Sequence, residues 1–176
     1  AGSYYTSPFS DAMVLCVDAI GEWETMTLWK GHGKRLEKLD SLRYPHSLGL
    51  LYSAFTQRCG LKPCEEEYIL MGMSAYGETK YRDDIYRELI DFKTYKLKRN
   101  LHRGLGDWMP GADPMDLAAS IQKVTEELLL QMWKWSTSFI PRGQRAVSRY
   151  GTSRNLCYGG GVALNCVANA VLMNQG

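Results

Sequence analysis

The sequence of 176 residues predicts a layered α/β domain with three parts: a β-meander, a group of helices, and a strand that enters a glycine turn before a last helix. Three observations support this. Strand-like patterns fill residues 12–44, apolar residues recur at helical spacing between residues 47 and 139, and the apolar residues 155–158 run into the glycines at 159–161. A hydrophobic content of 45% is enough for a core.

The first part is predicted to be a β-hairpin followed by a third strand. Residues 12–18 form an apolar run, and residues 24–30 alternate between polar and apolar side chains. The connection between them contains Gly21 and has acidic side chains, Asp18 and Glu22, near its ends. Residues 35–44 are ambiguous because their leucines are three apart, but their place after a hairpin favours a strand.

Helices are predicted for the middle of the chain. Residues 47–59 have Ser47 as a cap and Gly60 as a terminator, and two shorter helices are expected at residues 66–76 and 82–92. The strongest helix begins at Asp113-Pro114, carries apolar residues from 117 to 139 at helical spacing, and is expected to end at Pro141.

The last helix, predicted from Val162 onward, is apolar on nearly every side. Such a helix needs cover on several faces, so we expect a larger structure to continue beyond Gly176. The same apolar surface leaves self-association open.

Composition restricts the class of protein. Its 21 basic and 19 acidic residues are interspersed and give a net charge of +2, which argues against a nucleic-acid-binding surface. The five cysteines form no CxxC pair and are predicted to be reduced, mostly buried thiols, as is typical of the cytoplasm. No apolar run is long enough to span a membrane.

The glycine turn gives the first functional hypothesis, which is nucleotide binding. Glycines let backbone amides approach a ligand closely, and a helix start adds free donors suited to phosphate. A phosphate chain or its metal would be held from one side by Gly160, Gly161 and Asn165. It would be held from the other side by the acidic turn, which contains Asp18, Gly21 and Glu22. A tight turn without a ligand is the alternative.

No metal ligand or catalytic residue is predicted within the chain. Its three histidines, His32, His46 and His102, have no ligand spacing.

Five blocks of sequence, in order, resemble the amino-terminal domain of the NodU/CmcH-type O-carbamoyltransferases. The resemblance extends from about Tyr5 to Asn174. The blocks are residues 17–25, 45–55, 67–77, 116–122 and 160–166.

The resemblance implies an actin-like ATPase fold (ASKHA, ribonuclease H-like) of the Kae1/TsaD kind. It also implies a reaction in which ATP and carbamoyl phosphate yield a carbamoyl-adenylate, whose carbamoyl group passes to a hydroxyl of a small molecule or glycan, as in secondary metabolism. The glycine turn would then lie against ATP, and the segment from Glu67, which includes Gly72, would contact adenosine.

The resemblance also implies parts that this chain lacks. In the family, a His-x-x-x-His motif precedes the Tyr5 segment, an aspartate follows the glycine-turn helix, and a YrdC-like domain forms the carboxy-terminal part. Iron or another divalent metal would therefore be bound by residues outside this chain. We expect residues 1–176 to be an amino-terminal fragment without activity of its own.

Two departures from the family pattern support other functions. Ala19 replaces a glycine, and Cys64-Glu65-Glu66 replaces a small, glycine-containing segment. These changes favour a non-catalytic module that has kept the fold. A kinase-like relative that releases ADP is a further alternative.

Overall fold

The computed structural model describes residues 1–139, 147–148, 151–152 and 155–175. The strands are β1 (Asp11–Val17), β2 (Glu24–His32), β3 (Arg35–Arg43), β4 (Val147–Ser148), β5 (Gly151–Thr152) and β6 (Leu156–Gly159). The α-helices are α1 (Gly2–Tyr5), α2 (Leu48–Arg58), α3 (Glu67–Met73), α4 (Arg82–Glu88), α5 (Pro114–Ser138) and α6 (Cys166–Gln175). Short 3-10 helices occupy Ser74–Tyr76 and Gly161–Leu164.

The central sheet has four strands in the order β3-β2-β1-β6. Strands β1, β2 and β3 form an antiparallel meander, whereas β6 pairs with β1 in parallel, with Cys16 opposite Gly159. Strands β4 and β5 pair separately. The predicted α/β class, the meander with its third strand, and the strand before the glycine turn are therefore confirmed.

The main core lies between one face of this sheet and the helices. Alternate residues of β1, such as Leu15 and Val17, point into a cluster that includes Phe55 of α2 and Leu128 of α5. The other face carries a smaller cluster around Tyr4. Helix α2 is buried from its first residue through Thr56, which is more than the single face that the sequence predicts.

The two main helices begin where the sequence predicts. The Ser47 hydroxyl accepts a hydrogen bond from the Leu50 amide at 3.0 Å, and the Asp113 carboxylate accepts one from the Met115 amide at 2.8 Å. Helix α5 has 25 residues and ends at Ser138. The predicted terminator, Pro141, lies outside the described residues.

The predicted helix at residues 82–92 is too long, since α4 ends at Glu88. Beyond it the chain turns back, and the Lys98 amide donates to the carbonyl of Leu89. The Lys98 ammonium also donates to the last carbonyls of α4, those of Tyr86 and Arg87. These contacts across the following turn end the helix, and helical spacing alone does not reveal them.

Two other expectations need correction. The last helix is interrupted, because the 3-10 helix after Gly160 gives way at Asn165 before α6 begins. All five cysteines are free, but most are not buried: Cys157 is, whereas Cys64 and Cys166 are exposed.

A buried carboxylate on α5 holds the loop that follows α3. Asp116, 7% exposed, accepts hydrogen bonds from the Glu78 amide at 2.8 Å and the Lys80 ammonium at 2.7 Å. The Lys80 ammonium and the Glu78 amide keep the pKa of Asp116 below its ordinary value.

We predict that Asp116→Asn lowers the free energy of unfolding at pH 7. A carboxyl whose pKa is lowered in the folded state stabilises the fold above its unfolded pKa of about 4, and this contribution is lost as the pH falls further. The variant should therefore lose less stability than the wild type between pH 5 and about pH 3. Urea unfolding across that range measures both effects.

Asp107→Asn is the matched control, because the Asp107 side chain is 85% exposed and lies 3.7 Å from Arg58. An unchanged acid dependence in Asp116→Asn would contradict the prediction.

Candidate functional site

The candidate site lies where β1 and β6 end. Because these strands are parallel neighbours, their carboxyl ends meet at one edge of the sheet, the position at which α/β sheets commonly bind ligands. The Asp18 carboxylate, just after β1, accepts a hydrogen bond at 2.5 Å from the Gly161 amide, just after β6. The acidic turn and the glycine turn, which the sequence predicts to cooperate, are therefore in contact.

Asp18 is fixed through both its backbone and its side chain. Its amide donates to the Thr25 carbonyl at 2.8 Å, and its carbonyl accepts from the Ser47 hydroxyl, the cap of α2, at 3.0 Å. Its second carboxylate oxygen accepts from the Cys16 thiol at 3.4 Å. Burial, followed by the charge of Asp18, raises the pKa of Cys16 to about 11, so the thiol stays protonated and remains a donor at neutral pH.

Gly160 is required by packing within the chain. Its backbone has φ +96° and ψ 171°, a region essentially restricted to glycine, and a Cβ there would overlap the backbone of Val17. Gly161 differs, because a Cβ there would lie 3.5 Å from the Asp18 carboxylate, an ordinary contact. The first glycine therefore closes the turn on β1, and the second leaves an open surface beside Asp18.

Asn165 caps α6 and is paired with a glutamine of α5. Its side-chain oxygen accepts from the Ala168 amide at 3.0 Å and from the Gln122 amide group at 3.1 Å. Its side-chain nitrogen donates to the Gln122 oxygen at 2.9 Å. Asn165 thus lies between the 3-10 helix and α6, where it fixes the direction of both.

A cavity of about 380 Å³ opens beside the glycine turn, within the size range of small-molecule sites. Its wall is largely apolar and comes from α2, the start of α3 and the 3-10 helix. Residues lining it are Ala19, Gly49, Tyr52, Ser53, Cys64, Glu65, Glu67, Tyr68, Met71, Gly161, Val162, Leu164 and Asn165.

Glu67 is the best-anchored charge in this wall. One of its carboxylate oxygens accepts from the Ser53 hydroxyl and from the Cys64 amide, each at 2.6 Å. The neighbouring Glu66 is not among the lining residues and accepts from the Lys62 amide at 2.7 Å. The acidic residues that depart from the family pattern therefore have different positions: Glu66 closes a turn, and Glu65 lines the cavity.

The structure brings together some of the predicted site residues and not others. Glu67, Gly161 and Asn165 line the cavity, Asp18 contacts Gly161, and Gly160 precedes it.

The remaining predicted site residues lie outside the cavity wall. Gly21 and Glu22 are exposed in the turn between β1 and β2, where Gly21 has φ +58°. Gly72 is exposed, and apart from its chain neighbours and the backbone of its own helix no described atom lies within 4 Å of where its Cβ would be.

Sequence reasoning did not identify three contributors to the site. Gly49 lets α2 approach the acidic turn, because a Cβ there would overlap the backbone of Ala19. Tyr52 and Gln122 are buried and hydrogen-bonded to each other. Only Gln122 carries a sequence signal: it is a polar residue next to Ile121, within the apolar part of α5.

Among the described residues, no group of three histidine, cysteine or acidic side chains is arranged to hold a metal ion. His32 pairs with Asp11, His102 packs edge-on against Tyr44, and His46 lies just before the cap of α2. In the same part of the chain, no helix is both long and apolar enough to cross a bilayer.

Comparison with known protein families gives a match over the whole chain. The family model described as "Carbamoyltransferase N-terminus" matches residues 1–176.

Similar proteins are found in bacteria. The chain is 42% identical over 199 residues to the uncharacterized protein sll1178 of Synechocystis, covering all of this chain and 31% of that protein. It is 29% identical over 190 residues to the nodulation protein NolO of Bradyrhizobium diazoefficiens, covering 99% of this chain and 32% of that protein. It is 26% identical over 186 residues to the nodulation protein NolNO of Sinorhizobium fredii, covering 99% of this chain and 26% of that protein. The chain thus spans less than a third of the length of these relatives.

The two glycines of the turn provide a matched test of the geometry. We predict that Gly160→Ala lowers the free energy of unfolding by about 2–3 kcal/mol, because the residue would occupy a strained backbone region and overlap β1. Gly161→Ala should change it by less than about 1 kcal/mol. Urea unfolding of both variants measures the difference, and equal losses would contradict the assignment.

Proposed function

The chain belongs to the carbamoyltransferase N-terminus family, and on this premise we propose that it forms the adenine-nucleotide-binding part of an O-carbamoyltransferase. The observation that carries the proposal is the contact between Asp18 and Gly161 beside a cavity of about 380 Å³. That arrangement places the Gly161 amide, a backbone donor suited to phosphate, beside a largely apolar cavity suited to a nucleoside.

The cavity has the chemistry of a nucleoside site. Tyr52, Met71 and Val162 contribute apolar or aromatic surface, and Tyr68, 67% exposed, offers a ring on which a base can stack. The anchored Glu67 carboxylate can accept hydrogen bonds from hydroxyl or amino groups. The Glu67 carboxylate disfavours phosphate in this cavity, whereas the Glu65 carboxylate is paired with the Lys62 ammonium at 2.6 Å. The triphosphate is therefore expected outside the cavity, towards the glycine turn.

Phosphate at the glycine turn would compete with Asp18. The Gly161 amide already donates to that carboxylate, so a phosphate oxygen can take the donor only if Asp18 releases it. Gly21 and Glu22, exposed in the turn between β1 and β2, and Gly72 on α3 remain predicted contacts of the nucleotide in the larger protein.

In the proposed reaction, ATP and carbamoyl phosphate supply an activated carbamoyl group for a hydroxyl of a small molecule or glycan. This chain would bind and orient ATP and exclude water from its nucleoside. The iron or other divalent metal of the family would be held by residues outside this chain. The five free cysteines support a cytoplasmic location.

A non-catalytic module that has kept the fold is the second candidate. The specific observation that favours it is Glu65, a carboxylate in the cavity wall at a position where the family pattern has small residues.

We predict that the full-length protein releases pyrophosphate from ATP only when carbamoyl phosphate is present, with ferrous or magnesium ion supplied. A pyrophosphate assay run alongside an ADP assay measures this. ADP alone would instead indicate a kinase-like relative, and neither product would favour the non-catalytic module. The isolated chain of residues 1–176 should show no turnover.

Gly161→Val in the full-length protein links the assay to the site. Its branched side chain would crowd the Asp18 carboxylate, and we expect a loss of at least about tenfold in kcat/KM for ATP. Gly2→Val is the control, because no described atom lies within 4 Å of a Cβ at Gly2.

A further inference from the structure

The most completely hydrogen-bonded side chain near the cavity belongs to a residue that does not line it. Gln122 lies on α5 and is 3% exposed. Its side-chain oxygen accepts from the Tyr52 hydroxyl and from the Asn165 side-chain nitrogen, each at 2.9 Å. Its nitrogen donates to Asn165 at 3.1 Å and to Glu126 at 3.2 Å. All four hydrogen-bonding positions of the amide are therefore used.

The partners of Gln122 also fix which way its amide points. Rotating the group by half a turn would set its oxygen against the Glu126 carboxylate and its nitrogen towards the side-chain nitrogen of Asn165. Both contacts would be repulsive, so a single orientation is compatible with the surroundings.

We propose that Gln122 is a positioning residue for the nucleotide site, acting through Asn165; this inference rests on the function proposed above. The two side chains form a cyclic amide pair, in which each donates to and accepts from the other. Asn165 also caps α6 through the Ala168 amide, so the pair fixes the junction between the 3-10 helix and α6.

The pair determines what Asn165 presents to the cavity. Its oxygen is occupied by Ala168 and Gln122, and one hydrogen of its nitrogen is directed to Gln122. The same side chain is also hydrogen-bonded to the Tyr52 phenol, and it lines the cavity. Gln122 and Tyr52 thereby hold the Asn165 side chain in one orientation in the cavity wall.

Tyr52 extends the same network to α2. Its ring lines the cavity, and its buried hydroxyl donates to Gln122. Burial raises the pKa of Tyr52, so the phenol remains a donor at neutral pH. One glutamine therefore links α2 and the glycine-turn segment, two parts of the cavity wall that are far apart in sequence.

The test is a double-mutant cycle in the full-length protein, with the dissociation constant for ATP as the readout. Gln122→Met has a similar volume but no hydrogen bonds, and we expect it to weaken ATP binding about tenfold. In an Asn165→Ala background the same change should weaken binding less than about twofold, because its effect passes through Asn165. Gln131→Met, on the same helix but not in the cavity wall, is the control.

Two results would overturn the proposal: unchanged ATP affinity in Gln122→Met, or a full additive loss in the double variant. If Gln122→Met does not fold, Tyr52→Phe removes one of the bonds to Gln122 and keeps the buried ring. We then expect a loss of about threefold, again absent in the Asn165→Ala background.

A measurement without nucleotide separates this inference from the proposed function. Loss of the pair should loosen the cap of α6, so the Ala168 amide should exchange its hydrogen at least about tenfold faster in Gln122→Met than in the wild type. Unchanged exchange would overturn the positioning role. Failure of the wild type to bind ATP would overturn the proposed function and leave the exchange result to decide the role of Gln122 in holding Asn165.

Discussion

The parallel pairing of β6 with β1 is the constraint on which the rest of the site depends. It brings Asp18 and Gly161, 143 residues apart in the chain, within hydrogen-bonding distance. The pairing requires a glycine at position 160, because the backbone there passes against Val17 with a positive φ. The Asp18 contact, the direction of the 3-10 helix and one wall of the cavity all follow from this close approach.

Helix α5 supports that arrangement through polar side chains on its buried face. Asp116 holds the loop after α3, Ser120 accepts from the Tyr81 amide at the start of α4, and Gln122 holds Asn165. Each of these side chains is buried and hydrogen-bonded, so none carries the cost of an unpaired polar group. The helix therefore provides apolar packing and also fixes the orientation of its neighbours, which apolar contacts alone specify less well.

The sequence predicts the elements of this fold better than the contacts between them. Local signals such as the Ser47 cap and the Asp113-Pro114 helix start depend on a few neighbouring residues, and the structure confirms them. The end of α4 depends on Lys98, after the turn that follows the helix, and the break at Asn165 depends on Gln122, 43 residues away; helical spacing reveals neither contact. In the site, the glycine turn was found from its pattern, whereas the dependence of Gly160 on Val17 is visible only in three dimensions.

We propose that the glycine turn and the adjoining cavity bind the two ends of an adenine nucleotide. A crystal structure of the full-length protein with a non-hydrolysable ATP analogue tests this most directly. We expect the base in the cavity beside Tyr68, a phosphate oxygen at the Gly161 amide, and the Asp18 carboxylate released from that amide. An analogue bound elsewhere, with the contact between Asp18 and Gly161 intact and the cavity empty, would contradict the account.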